Sequence, residues 1–101
     1  MSLQKLEIII SNMYLEELVN HLERIGLNGY TAIEVARGKG AREGEHLADG
    51  LLPTTRSTLL ISIVTEETAE EIFDDLHKYI EKRKGVMFTV PVMQSMGVSL
   101  T

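Results

Sequence analysis

The stretch RSTLLISIVTEETAEEIFDDLHKYIEKRKGVMFTV, Arg56–Val90, decides the fold. From Arg56 to Val64 it is rich in β-branched and aliphatic residues and reads as a strand. The period then changes. Thr65 is a helix cap, and Glu66 and Glu67 place acids in the first turn, where they complement the helix N-terminus. Ala69, Ile72, Phe73, Leu76 and Ile80 recur along one face of that helix. Lys82, Arg83 and Lys84 put positive charge at its end, and Gly85 is the expected C-cap. Alternation returns from Val86 to Met93, a last strand in which Pro91 signals an edge or a bulge.

Working towards the N-terminus, Lys5 to Ile10 alternates, with Leu6, Ile8 and Ile10 on one face and Lys5, Glu7 and Ile9 on the other. Leu15, Leu18, Val19, Leu22 and Ile25 then recur at helical spacing, with Ser11 or Asn12 to cap the start and Gly26 to stop the helix. A short, half-buried strand follows, from Gly29-Tyr30-Thr31 to Val35. The order strand, helix, strand, strand, helix, strand predicts an α+β, ferredoxin-like βαββαβ sandwich: one four-stranded antiparallel sheet with both helices on one face. Two helices cover only that face. The other keeps Ile9 with either Leu59, Ile61 and Ile63 or the methionines Met87 and Met93, too much apolar surface for water, so the sequence predicts an oligomer with its sheets packed inward. Met87, Met93 and Met96 read as packing in that interface.

The 101 residues, 44% hydrophobic, suffice for one core, so residues 1–101 are expected to form a single domain. A net charge of -5 argues against nonspecific binding to nucleic acid. With no cysteine, thiol catalysis, thiolate metal sites and disulfides are excluded. Neither a charged leader followed by an apolar run nor a span-length apolar segment is present, and the expectation is a cytoplasmic protein.

The residues that carry chemistry follow the second strand. Gly38-Lys39-Gly40-Ala41-Arg42 is a glycine-rich, basic turn: glycines permit positive φ and close approach to a ligand, while Lys39 and Arg42 bring cationic donors, so the expected guest is a small anion. From Glu43 to Thr55 runs a polar segment without periodicity, long for a connection in so small a domain. Only Leu47, Leu51 and Leu52 could anchor it, which leaves them for a partner and predicts a segment mobile until a ligand or partner binds. His46 lies there among Glu43, Glu45 and Asp49, and is the weak alternative for a metal ligand. No two histidines have the i, i+4 spacing that would put both on one helical face. Ser57 and Thr58 lack a sequence partner that would make a nucleophile and base, and no enzyme is expected.

Taken in order, these motifs resemble PII-like signalling proteins: the opening Lys5-Leu6-Glu7-Ile8-Ile9-Ile10, Gly26-Leu27-Asn28-Gly29-Tyr30-Thr31 leading to Glu34-Val35, the turn Gly38-Lys39-Gly40, a polar loop in the place of the T-loop, and Gly85-Val86-Met87-Phe88. The resemblance covers nearly the whole chain and is greatest to the divergent branch associated with membrane transporters. It implies a homotrimer that binds an adenine nucleotide between subunits and signals through its T-loop to a transporter or other target. Thr31 then corresponds to an adenine contact, Gly38 to Arg42 to the phosphate cradle, and Gly85 and Val86 to the opposite wall of the cleft. Ala41 stands where the family carries an arginine and Val86 where it carries a lysine, which favours AMP, cyclic AMP or ADP over ATP. Two alternatives are a metal-binding, CutA-like trimer and an interaction module without a ligand.

Overall fold

The computed structural model describes residues 2–38 and 56–99. Along them run β1 (Leu3–Ser11), a 3-10 turn (Asn12–Tyr14), α1 (Leu15–Ile25), β2 (Thr31–Val35), β3 (Ser57–Thr65), α2 (Glu66–Lys82) and β4 (Val86–Pro91). The strands form a four-stranded sheet in the order β2-β3-β1-β4, each neighbouring pair antiparallel. With α1 and α2 on one face, this is the ferredoxin-like arrangement that the element order predicts. β4 lies at an edge, where Pro91 removes no hydrogen bond to a further strand.

Local chemistry sets the helix ends. Ser11 accepts from the Met13 N–H and Thr65 from the Thr68 N–H, each satisfying a donor that has no intrahelical partner. Gly26, at φ 118°, closes α1 with its N–H on the carbonyls of Leu22 and Glu23. The end of α2 differs from the sequence expectation. Lys84, not Gly85, occupies the left-handed position, at φ 58°. Gly85 is needed for space instead, since a Cβ there would stand 3.0 Å from the Ile9 carbonyl oxygen and 3.1 Å from Ile80 Cγ2.

Among the described residues the core is one cluster. Leu6, Ile8 and Ile10 of β1 and Leu60 and Val64 of β3 pack against Leu18 and Leu22 of α1, Leu27, and Ala69, Ile72, Leu76 and Ile80 of α2. Burying each Leu or Ile is worth about 2 kcal/mol. β3 turns its less apolar face inward: Thr58 and Ser62 are buried, their hydroxyls donating to Asn12 Oδ1 and to the Gly29 carbonyl. Leu59, Ile61 and Ile63 therefore face away from the helices. Met87 pairs with Ile8 and packs on the core, which corrects its reading as an interface residue. Met93 and Met96 are exposed.

On the side away from the helices the register makes rows across the sheet: Thr31–Ile61–Glu7–Phe88 and Ile33–Leu59–Ile9–Val86, flanked by Ile63–Lys5–Val90. β2 is an exposed edge strand rather than half-buried, with only Val35 partly covered. On the helix side, Arg83 ties α2 to α1. Its guanidinium carbon lies 3.7 Å from the Tyr79 ring centroid and 5.1 Å from that of Tyr14, and Nη2 is 3.6 Å from Glu17. This is a structural use of the basic helix end. Among the described residues, no helix is long and apolar enough to cross a membrane.

Candidate functional site

The chain leaves α1 at Gly26, anchors on buried Leu27, and reaches β2 through Asn28, Gly29 and Tyr30. The Ser62 hydroxyl holds this connection to β3 by donating to the Gly29 carbonyl. Between the connection and β3 opens a groove of about 330 Å³, walled by Gly26 to Thr31, Ile61 to Thr65, Thr68 of α2, and Gly97 to Ser99. Gly97 takes φ 81°, which turns the chain beside the groove. No lysine, arginine, histidine or carboxylate lines it among the described residues. Backbone groups, hydroxyls, Asn28, Tyr30 and aliphatic surface make its wall, suited to an uncharged ring or sugar rather than to a phosphate.

Thr31, the adenine contact that the family resemblance implies, lines this groove. The other described candidates lie elsewhere. Val35 pairs with Ser57 and Ser57 with Ser11, while Val86 pairs with Ile9, so Gly38 and Gly85 both sit towards the Ser11 end of the sheet. The groove lies towards the Thr65 end. Thr31 and Val86 are also on opposite edge strands, separated by β3 and β1, or about 14 Å at ordinary strand spacing. A single chain does not bring them together.

Among these candidates, Gly85 is buried against β1 while Val86 is exposed on the open sheet face. Gly38 has neither positive φ nor a crowded Cβ position, the nearest atom being Val35 Cγ1 at 3.9 Å, so its own chain does not require glycine there. Lys39, Gly40, Ala41 and Arg42 of the proposed cradle, the anchors Leu47, Leu51 and Leu52, and His46 all lie outside the described residues. Sequence reasoning missed Ser62, Thr65, Thr68 and Ser99 around the groove. The inward polar positions Thr58 and Ser62 were the available signal, because a buried hydroxyl on an otherwise aliphatic strand must be held by a specific partner.

The model of the family "Nitrogen regulatory protein P-II" matches residues 3–100. The chain belongs to the P-II family. Solved P-II-like structures agree. CPII of Thiomonas intermedia K12, bound to ADP and bicarbonate, is 29% identical with a TM-score of 0.72, covering 91% of this chain and 87% of that one. CPII bound to ADP, AMP and bicarbonate gives 27% identity and a TM-score of 0.73 over the same shares, 91% and 87%. A putative PII-like signalling protein from Thermus thermophilus is 27% identical with a TM-score of 0.68, covering 90% of this chain and 86% of its own. No curated protein matches in sequence. The chain is thus a P-II-like regulator, with relatives in the same structural class that hold adenine nucleotides.

Proposed function

We propose that this P-II protein binds an adenine nucleotide between copies of itself and reports that binding to a second protein. The uncharged groove of one copy takes the base and ribose. Gly38 to Arg42 of a neighbour, with its Gly85 and Val86, meets the phosphates. The observation that carries this reading is the separation of the two half-sites: Thr31 lies in a groove at one end of the sheet, and Gly38 and Gly85 at the other. Two copies are needed to face them across one cleft. The ADP and AMP held by CPII support the choice of ligand.

In this reading the assembly is a homotrimer with closed symmetry, acting in the cytoplasm. Residues 43–55 form the T-loop, whose Leu47, Leu51 and Leu52 engage a membrane transporter or another regulated target. The nucleotide acts by binding one arrangement of that loop better than another. Calorimetry with AMP, cyclic AMP, ADP and ATP tests the ligand. Arg42→Ala is expected to cost ~1.5 to 3 kcal/mol, the range of a charge-assisted hydrogen bond. Absence of heat with all four nucleotides, or an Arg42→Ala variant binding like the parent, contradicts the proposal.

A further inference from the structure

Among the described residues, the middle of the sheet face away from the helices carries one charged pair beside mainly apolar neighbours. Lys5 Nζ lies 3.3 Å from Glu7 Oε2. Across the paired positions of that face, Glu7 stands between Ile61 and Phe88, Lys5 between Ile63 and Val90, and Ile9 between Leu59 and Val86. β1 is a central strand, so both charges lie in the middle of the face rather than at its rim. The Glu7 side chain is only 16% exposed even in the free chain, against 38% for Lys5. Its carboxylate is already partly stripped of water by the apolar neighbours.

Packing another surface over this face would remove the remaining water from both charges. A purely apolar partner leaves them with only each other, and the loss of hydration can exceed their mutual attraction. A second copy of the same face brings a lysine and a glutamate of its own. We propose that Lys5 and Glu7 are the recognition pair of the assembly: the Glu7 carboxylate of each copy also meets the Lys5 ammonium of the next, so the charges close into a neutral set and reject surfaces lacking them. The inference rests on the reading that copies assemble through this sheet face. The surrounding aliphatic rows supply attraction without direction, while the charge pair supplies register and partner choice.

Exchanging the two charges tests this. The double variant Lys5→Glu/Glu7→Lys keeps one acid and one base on every copy, so it is expected to assemble with itself to the parent's mass. Against the parent it places acid on acid and base on base. Native mass spectrometry of a refolded equimolar mixture of isotope-labelled parent and swapped chain is therefore expected to show homo-assemblies, with mixed species strongly depleted. Free statistical mixing overturns the proposal, as does a swapped chain that folds by circular dichroism yet stays monomeric. If the swapped chain does not fold, Glu7→Gln is the second test. It leaves Lys5 without its interchain partner and is expected to weaken assembly by at least about tenfold, and an unchanged dissociation constant overturns the proposal. A parent that is monomeric in the same measurement refutes the assembly itself, a result distinct from an oligomeric parent that mixes freely.

Discussion

Gly85→Ala is a sharp test of how α2 is joined to β4. At an ordinary position this change stabilises by about 0.4–1 kcal/mol, because alanine restricts the unfolded chain. Here the new methyl would stand 3.0 Å from the Ile9 carbonyl oxygen, 3.1 Å from Ile80 Cγ2 and 3.5 Å from Ile10 Cγ1. The first is backbone of β1, fixed by pairing to β3 and β4, and the second belongs to a buried side chain. Neither can retreat without moving a strand or repacking the core, so the overpacking range of about 1–3 kcal/mol applies. Set against that gain, it leaves a net loss centred on about 1 kcal/mol. The assay is urea unfolding of parent and variant at one protein concentration, which keeps any assembly equilibrium comparable. The midpoint is expected to fall with little change in the denaturant slope. A midpoint equal to or above the parent's refutes the account and restores Gly85 to the simple capping role that the sequence suggests.

Three other outcomes follow from the same contacts. Ser62→Ala removes the donor to the Gly29 carbonyl; because that carbonyl lies in an exposed connection and can take up water, the stability cost is expected at the low end, about 1 kcal/mol, with weaker nucleotide binding measured by calorimetry. Lys84→Gly relieves a left-handed backbone at a non-glycine residue and is expected to raise the unfolding midpoint modestly. The Tyr79 hydroxyl, pushed up to about 12 by partial burial and by its hydrogen bond to Glu17, holds its proton more tightly in the folded than in the unfolded chain. Its contribution to stability is therefore complete below about pH 10 and lost as pH rises through about 12; Tyr79→Phe is expected to remove that alkaline loss from a stability–pH profile.

The fold was legible because its periodicities are clean. Leu6, Ile8 and Ile10, the stripes of both helices and the Thr65 cap all lie where the pattern places them. The facing of β3 was not decided, since Leu59, Ile61 and Ile63 form the more apolar set yet turn away from the helices. The inward set works only because Asn12 and Gly29, distant in sequence, satisfy Thr58 and Ser62. Met87 followed the same decision. Of the candidate site, Thr31 is singled out by the resemblance that Gly29-Tyr30-Thr31 carries and not by a local chemical signal, and the groove around it was not legible, because it is assembled from four separated segments whose polar groups are mostly hydroxyls and backbone. At Gly85 the sequence shows only a glycine after a basic helix end, whereas the close approach of Ile9 that requires it appears only in three dimensions.

The central claim, a nucleotide held between the groove of one copy and the glycine turn of the next, is tested most directly by complementation. Thr31→Trp fills the groove, Arg42→Ala removes the cation from the turn, and each variant alone is expected to bind nucleotide far more weakly than the parent. Co-refolded in equal amounts, they form mixed assemblies in which some clefts join the intact groove of one chain to the intact turn of the other. For random mixing in a closed ring that is about a quarter of the clefts, half the grooves being intact and half the facing turns. Calorimetry with ADP is expected to recover that fraction of sites at close to the parent's affinity. Failure of the mixture to bind, in a preparation shown to contain mixed assemblies, contradicts a site built from two copies.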